Sequence, residues 1–188
     1  MRRASLGKFA NGRGPYKLIA YILAGLAATG VMTFERMQGK SSAAQGKGEY
    51  HRIVHVYDGD TVKLDNGERV RLIGIDTPES HDNFKLDRDV RKLRKSREVL
   101  LEMGQKASQF THDLLDGQQV RLEIDVEPRD RYQRLLAYLY LPDGTFVNEK
   151  IIREGYAYPL TVPPNVRHAD EFKQWFDEAR DHQRGLWQ

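Results

Sequence analysis

The chain has 188 residues, is 39% hydrophobic and 30% charged, and contains no cysteine. That is enough for one globular domain with an appendage, and it excludes a disulfide framework and thiolate chemistry. The net charge of +3 does not by itself argue for a nucleic-acid partner, because residues 1–17 hold five basic residues and no acid while residues 51–188 hold 22 basic and 25 acidic ones. Affinity for phosphate would have to come from local clusters.

Leu18 to Phe34 is a run of 17 residues without a charge. As a helix it would be about 25 Å long, at the lower limit for crossing a hydrocarbon core of about 30 Å. The basic residues before it predict a cytoplasmic tail over 1–17, a single-pass membrane anchor over 18–34 and an exported remainder. The same features describe a signal peptide, so secretion after cleavage is the alternative. No Ala-x-Ala closes the run, which favours the anchor. Residues 35–49 have the composition of a flexible linker, and the folded domain is expected over 50–188.

Within that domain, short strands are expected at 52–57, 61–64, 68–75, 120–126 and 135–141. The fourth is the clearest, with Val120, Leu122, Ile124 and Val126 alternating with Arg121, Glu123 and Asp125. Five strands this short suggest a small closed sheet. Helices are expected at 105–115, at 148–154 with Asn148 as cap and Gly155 as stop, and at 170–184 with Phe172, Trp175, Phe176 and Ala179 on one face. Between Glu79 and Gly104 stand Lys85, Arg88, Arg91, Lys92, Arg94, Lys95 and Arg97. They read either as a phosphate-contact surface or as a solvated helix face laced with Asp87, Asp89, Glu98 and Glu102.

Two constellations carry chemistry. In the first, Asp58-Gly59-Asp60-Thr61 leads through the turn Asp65-Asn66-Gly67 to a strand with Arg71, then to Asp76-Thr77-Pro78-Glu79. A β-hairpin here brings its outer ends together, gathering Asp60, Asp76 and Glu79 with Arg71 part-way along the return strand. Each piece alone is ordinary, since Asp and Gly suit turns and Asp-Thr-Pro-Glu suits a helix start. Together, three carboxylates call for a positive charge, and an all-oxygen set suits Ca²⁺ or Mg²⁺. The second constellation is the loop from Pro128 to Leu135. Its three arginines suit bidentate phosphate contacts and Tyr132 suits stacking, against the plainer reading of a charged hairpin loop. The six histidines form no such set: His51 and His55 share a strand face, but no third ligand accompanies them.

In this order and spacing the motifs resemble the staphylococcal nuclease (thermonuclease) family over about residues 50–188, and Asn148-Glu149 and Arg153-Glu154-Gly155 continue the resemblance. It implies an α+β fold, mainly β with helices: a five-stranded OB-type β-barrel with three helices, here preceded by the single N-terminal hydrophobic helix. It implies Ca²⁺ held by Asp60, Asp76 and the Thr77 carbonyl, with Arg71 and Arg134 gripping a phosphodiester. Glu79 would act on the attacking water, and Arg131 and Tyr132 would touch a terminal phosphate. Tyr156 and Tyr158 are the substitutes for family tyrosines near the nucleotide, which 160–164 lacks. Gln133 stands where glycine is usual, and the segment after Glu79 is longer than in the staphylococcal type. The expected function is a Ca²⁺-dependent endonuclease acting on DNA and RNA. No protein partner is implied and a monomer is expected. The alternative is a catalytically weak or inactive OB-type nucleic-acid-binding module tethered to the membrane.

Overall fold

Alternating apolar residues close the barrel. β1 (Tyr50–Asp58), β2 (Thr61–Leu64), β3 (Arg69–Leu72), β5 (Gln119–Glu123) and β6 (Leu135–Tyr140) form a closed sheet in the order β1-β2-β3-β6-β5. β1 serves two neighbours, pairing Tyr50 with Arg121 on β5 and Ile53 with Leu64 on β2. β3 and β6 run parallel, Val70 opposite Leu135. Ile53, Val62, Leu64, Val70, Leu72, Val120, Ala137 and Leu139 point inward and are buried. This computed structural model describes residues 48–188; the basic tail, the expected anchor at 18–34 and nearly all of the expected linker lie outside the described residues. Among the described residues no helix is long and apolar enough to cross a membrane.

The expected strand at 68–75 is two strands. After Leu72 the chain kinks: Ile73 N donates to Ala137 O at 3.0 Å, and Ile73 O accepts from Asn148 Nδ2 at 2.8 Å. Gly74 follows with φ of 83°, and a Cβ there would run into the Phe172 ring. β4 (Gly74–Asp76) therefore leaves the barrel and pairs antiparallel with β7 (Tyr158–Leu160), Asp76 opposite Tyr158. The strands expected to end at 126 and 141 stop at Glu123 and Tyr140.

Four α-helices are described rather than three: α1 (Phe84–Leu93), α2 (Arg97–Leu115), α3 (Val147–Arg153) and α4 (Ala169–Asp181), followed by a 3-10 turn at Gly185–Trp187. α1 is the additional one, on the segment read as either a phosphate-contact surface or a solvated helix face, and its buried Leu86 packs against Leu100 and Met103 of α2. Asn83 starts it, its Oδ1 accepting from Lys85 N at 2.9 Å and Leu86 N at 3.0 Å. α2 begins at Ser96 as cap, two turns before the expected start, and Thr111 Oγ1 on it donates to Gly59 O at 2.9 Å. Asn148 is no cap. It is fully buried, accepts from Leu139 N at 3.0 Å and ties β6 to the kink, while Phe146 precedes α3. A buried amide that satisfies one donor and one acceptor at a strand break relieves a larger penalty than a solvated helix end would.

Candidate active site

A groove of about 760 Å³ opens beside the kinked strand, lined by Arg71, Asp76, Glu79, Lys85 and Arg88, by Asp130 to Tyr132 and Arg134, and by Leu160 and Val162. The kink makes the site. Thr61 pairs with Arg71, and Leu72 N donates to Asp60 O at 2.9 Å. A straight strand would then carry Asp76 about 13 Å further on. Turned back at Gly74, the chain instead brings Thr77 N to 3.0 Å and Thr77 Oγ1 to 3.2 Å from Asp60 Oδ2.

Asp60 is 1% exposed. Its Oδ1 accepts from Thr61 Oγ1 at 3.0 Å and pairs with Arg71 Nη1. Arg71 Nη2 donates to Asp76 Oδ1 at 2.8 Å and to Ile75 O at 3.4 Å. Three of the five guanidinium N–H groups thus hold the protein's own acids and backbone, and two are left over. Asp58, which also lines the groove, accepts from Asp60 N at 3.1 Å.

The other oxygens converge on a lysine. Lys85 Nζ lies 2.9 Å from Asp76 Oδ1, 2.6 Å from Glu79 Oε1 and 3.1 Å from Thr77 O. The second oxygen of Glu79 accepts from Asn83 Nδ2 at 2.5 Å. Burial works to raise the Asp76 carboxyl, but the Lys85 and Arg71 charges outweigh it and hold the group below the usual carboxylate value. Among the described residues no three acidic or histidine side chains meet as a metal-binding group. The meeting point is instead two carboxylates and a main-chain carbonyl around an ammonium. That donor chemistry fits a hard cation, and Lys85 Nζ lies at its centre.

The Pro128–Leu135 loop faces the same groove. Arg134 donates from Nε to Asp130 Oδ2 at 2.7 Å, and Asp130 Oδ1 accepts from Tyr132 N at 2.9 Å and Arg134 N at 3.0 Å. Burial pushes the Asp130 carboxyl up, the bonds from Arg134 pull it down, and the net shift is downward. Arg131 lies over the Tyr132 ring and donates to its hydroxyl at 2.6 Å, and Tyr132 is 64% exposed. Arg129 turns away to Glu68 at 2.8 Å.

Arg71, Asp76, Glu79, Arg131, Tyr132 and Arg134 thus share one groove, with Asp60 and Thr77 directly behind it. Tyr156 and Tyr158 do not join them. Tyr156 stacks on Phe110 with ring centroids 4.2 Å apart, and Tyr158 packs edge-on against Trp187. Burial, with Asp89 and Asp76 nearby, pushes the Tyr158 hydroxyl up to about 12. Leu160 and Val162 offer the groove an apolar surface in place of tyrosines. Sequence reasoning placed Lys85 only among the basic residues of a phosphate-contact surface or solvated helix face, and assigned no role to Asn83 or Asp130. The helix-start signal at Asn83, an Asx cap with Asp87 in the first turn, was legible and would have placed Lys85 beside Glu79.

The family model for staphylococcal nuclease homologues matches residues 69–188. The chain is 37% identical over 165 residues to a thermonuclease of Staphylococcus intermedius, covering 84% of this chain and 90% of that one. It is 33% identical to a thermonuclease of Staphylococcus hyicus, covering 73% and 75%, and 33% identical to endonuclease YncB of Bacillus subtilis, covering 69% and 57%. With its barrel, its kinked acidic strand and its arginine loop, the chain belongs to the staphylococcal nuclease homologue family.

Proposed function

We propose that the chain is a nuclease that hydrolyses phosphodiester bonds of DNA and RNA as a Ca²⁺-dependent endonuclease. The observation that carries this reading is the groove that Arg71, Arg134 and Glu79 share. A diester in it meets cationic donors from two separate elements, β3 and the Pro128–Leu135 loop. Arg134 offers the two terminal nitrogens that its bond to Asp130 leaves over, and Arg71 the two N–H groups not held by protein acceptors. Fixed donors aimed at the equatorial oxygens stabilise the charge that grows in the transition state.

Glu79 is the general base for the attacking water, a role that contributes about 10²–10⁴-fold. Asn83 orients its carboxylate through Oε2. Arg131 and the exposed Tyr132 bind a terminal phosphate or the next nucleotide. Asp60, Asp76 and the Thr77 carbonyl would hold the Ca²⁺ ion. When bound, the ion supplies positive charge for a phosphate oxygen and acidifies water. Residues 18–34 tether the domain to a membrane with the groove on the exported side, supported by the uncharged run and the basic tail before it.

One observation favours the binding-only alternative: Asp60, Asp76 and Glu79 are all paired with protein cations already. Incubating the purified full chain with supercoiled DNA and with RNA, in CaCl₂ or in chelator, decides between them. Cleavage in CaCl₂ that stops in chelator is expected, and both Glu79→Gln and Arg134→Ala are expected to be slowed at least about a hundredfold. Binding without cleavage in any divalent cation would leave only the second reading.

A further inference from the structure

Three helix lysines of this domain pair within their own helix. Lys106 meets Glu102, Lys150 meets Glu154 and Lys173 meets Asp177, each one turn away, with side chains 60%, 42% and 77% exposed. Lys85 does something else. It reaches from the first turn of α1 back to the preceding segment, is 25% exposed, and places Nζ among three oxygens of residues 76–79. Two carboxylates and a main-chain carbonyl are the ligands of a hard divalent ion rather than the usual setting of a lysine.

We infer that Lys85 is the resting counter-ion of this centre, and that a divalent cation enters by exchange with it. The inference rests on reading the acidic cluster as a divalent-cation site. Without a positive charge at the meeting point, Asp76 and Glu79 would repel each other across a half-buried space where charges are poorly screened. Lys85 holds them in register. A Ca²⁺ ion needs oxygens at about 2.3–2.6 Å, so one held by Asp76 and the Thr77 carbonyl, two of the three oxygens around Nζ, would stand against the ammonium, and the two cannot coexist.

The surroundings allow the exchange. Lys85 carries its charge on a flexible four-carbon stem, and it already lines the groove, so the displaced ammonium has a place to go. Glu79 keeps its second anchor to Asn83, and Asn83 Oδ1 keeps α1 started, when Nζ leaves. Departure also uncovers Glu79 Oε1, an oxygen that a general base needs free. Lys85 is therefore a positioning residue: it links arrival of the ion to release of the base.

The test is calorimetric titration of CaCl₂ into the full chain without nucleic acid, for wild type, Lys85→Met, Lys85→Arg and Asp76→Asn. Lys85→Met is expected to bind Ca²⁺ about tenfold more tightly or better, the scale of one close charge removed. Lys85→Arg is expected to bind no more tightly than wild type, and Asp76→Asn more weakly. Equal or weaker binding by a folded Lys85→Met overturns the exchange. Should that variant not fold, the lysine ¹³Cε signals of wild type decide: one must shift in step with Ca²⁺ occupancy, and none shifting overturns it. Failure of the underlying site reading looks different, because then neither wild type nor any variant binds Ca²⁺. Ca²⁺-dependent DNA cleavage with unchanged affinity in Lys85→Met would overturn the exchange alone.

Discussion

Arg134 is held to Asp130 twice, by its Nε at 2.7 Å from Oδ2 and by its backbone N at 3.0 Å from Oδ1. The carboxylate thus shapes the turn and aims the guanidinium, leaving both terminal nitrogens for the groove. Asp130→Asn keeps an oxygen for the backbone but turns an amide donor toward Nε. We expect kcat/KM on DNA to fall by about ten- to a hundredfold with an unchanged circular dichroism spectrum, since misplacement by about 1 Å costs that much. Wild-type kcat/KM in this variant would remove Asp130 from the positioning of Arg134.

Acid should unfold the domain through the same carboxylates. Asp76 and Asp130 both titrate below their ordinary value when folded. A depressed group contributes stability that is fully present above its unfolded pKa of about 3.9 and is lost as pH falls through the folded value. In chelator, the melting temperature is expected to be flat from neutrality to about pH 5 and to fall below about pH 4, with a shallower fall in Asp76→Asn. A melting temperature indifferent to pH between about 3 and 5 would contradict this.

Gly104 on α2 lies flush against the Glu79 carbonyl, and a Cβ there would also stand 2.7 Å from Ser80 N. Alanine normally strengthens a helix by about 1 kcal/mol over glycine. Here that gain is opposed by overpacking against backbone, about 1–3 kcal/mol. Gly104→Ala should therefore melt no higher than wild type and should lose activity by pushing Glu79 into the groove. Thermal unfolding and turnover measured on the same preparation check both halves, and a more stable, fully active variant would refute the contact.

The arginines along α1 and at the start of α2 differ in how they are held. Arg97, the first residue of α2, is committed to Asp82 and Asp87. Arg88 meets only Asp89, at 3.8 Å, and Arg91 has no carboxylate partner among the described residues. Arg88 lines the groove, and exposed Phe84 sits one turn before it. Arg88→Gln with Arg91→Gln should weaken single-stranded DNA binding and flatten the log–log dependence of affinity on salt by about 0.7 for each phosphate no longer neutralised. Fluorescence anisotropy across a salt series, in chelator to prevent cleavage, reads the slope; an unaltered slope would make this face a solvated one.

The barrel was legible because its strands alternate, and the acids were legible as a group because the Asn-Gly turn forces a hairpin. What the hairpin could not show is how Asp76 returns to Asp60. That depends on a break at Ile73-Gly74 stabilised by Asn148 and Phe172, which are distant in the chain. α1 was legible only as one of two readings, because its buried stripe is so thin that charge dominates its pattern. Gln133 stands where glycine is usual, and the structure shows why glycine would suit the position: its φ is 64°. Left-handed backbone costs a side chain about 1–2 kcal/mol, so Gln133→Gly should raise stability by up to about 1 kcal/mol in chemical denaturation, after the flexibility of unfolded glycine is discounted. A loss of stability would mean that the Gln133 side chain compensates for its own strain.

Helix α2 touches the groove's framework at two places seven residues apart, Gly104 beneath Glu79 and Thr111 bonded to Gly59 between Asp58 and Asp60. Seven residues are two turns, about 10 Å of stiff rod. The interval between the aspartate turn and the glutamate is thereby gauged from below, by a rod clamped at both marks, and not by the chain that joins Glu79 to the rod. Evolution is consequently at liberty to lengthen or shorten residues 80–96, changing what frames the entrance, while the acids keep their separation.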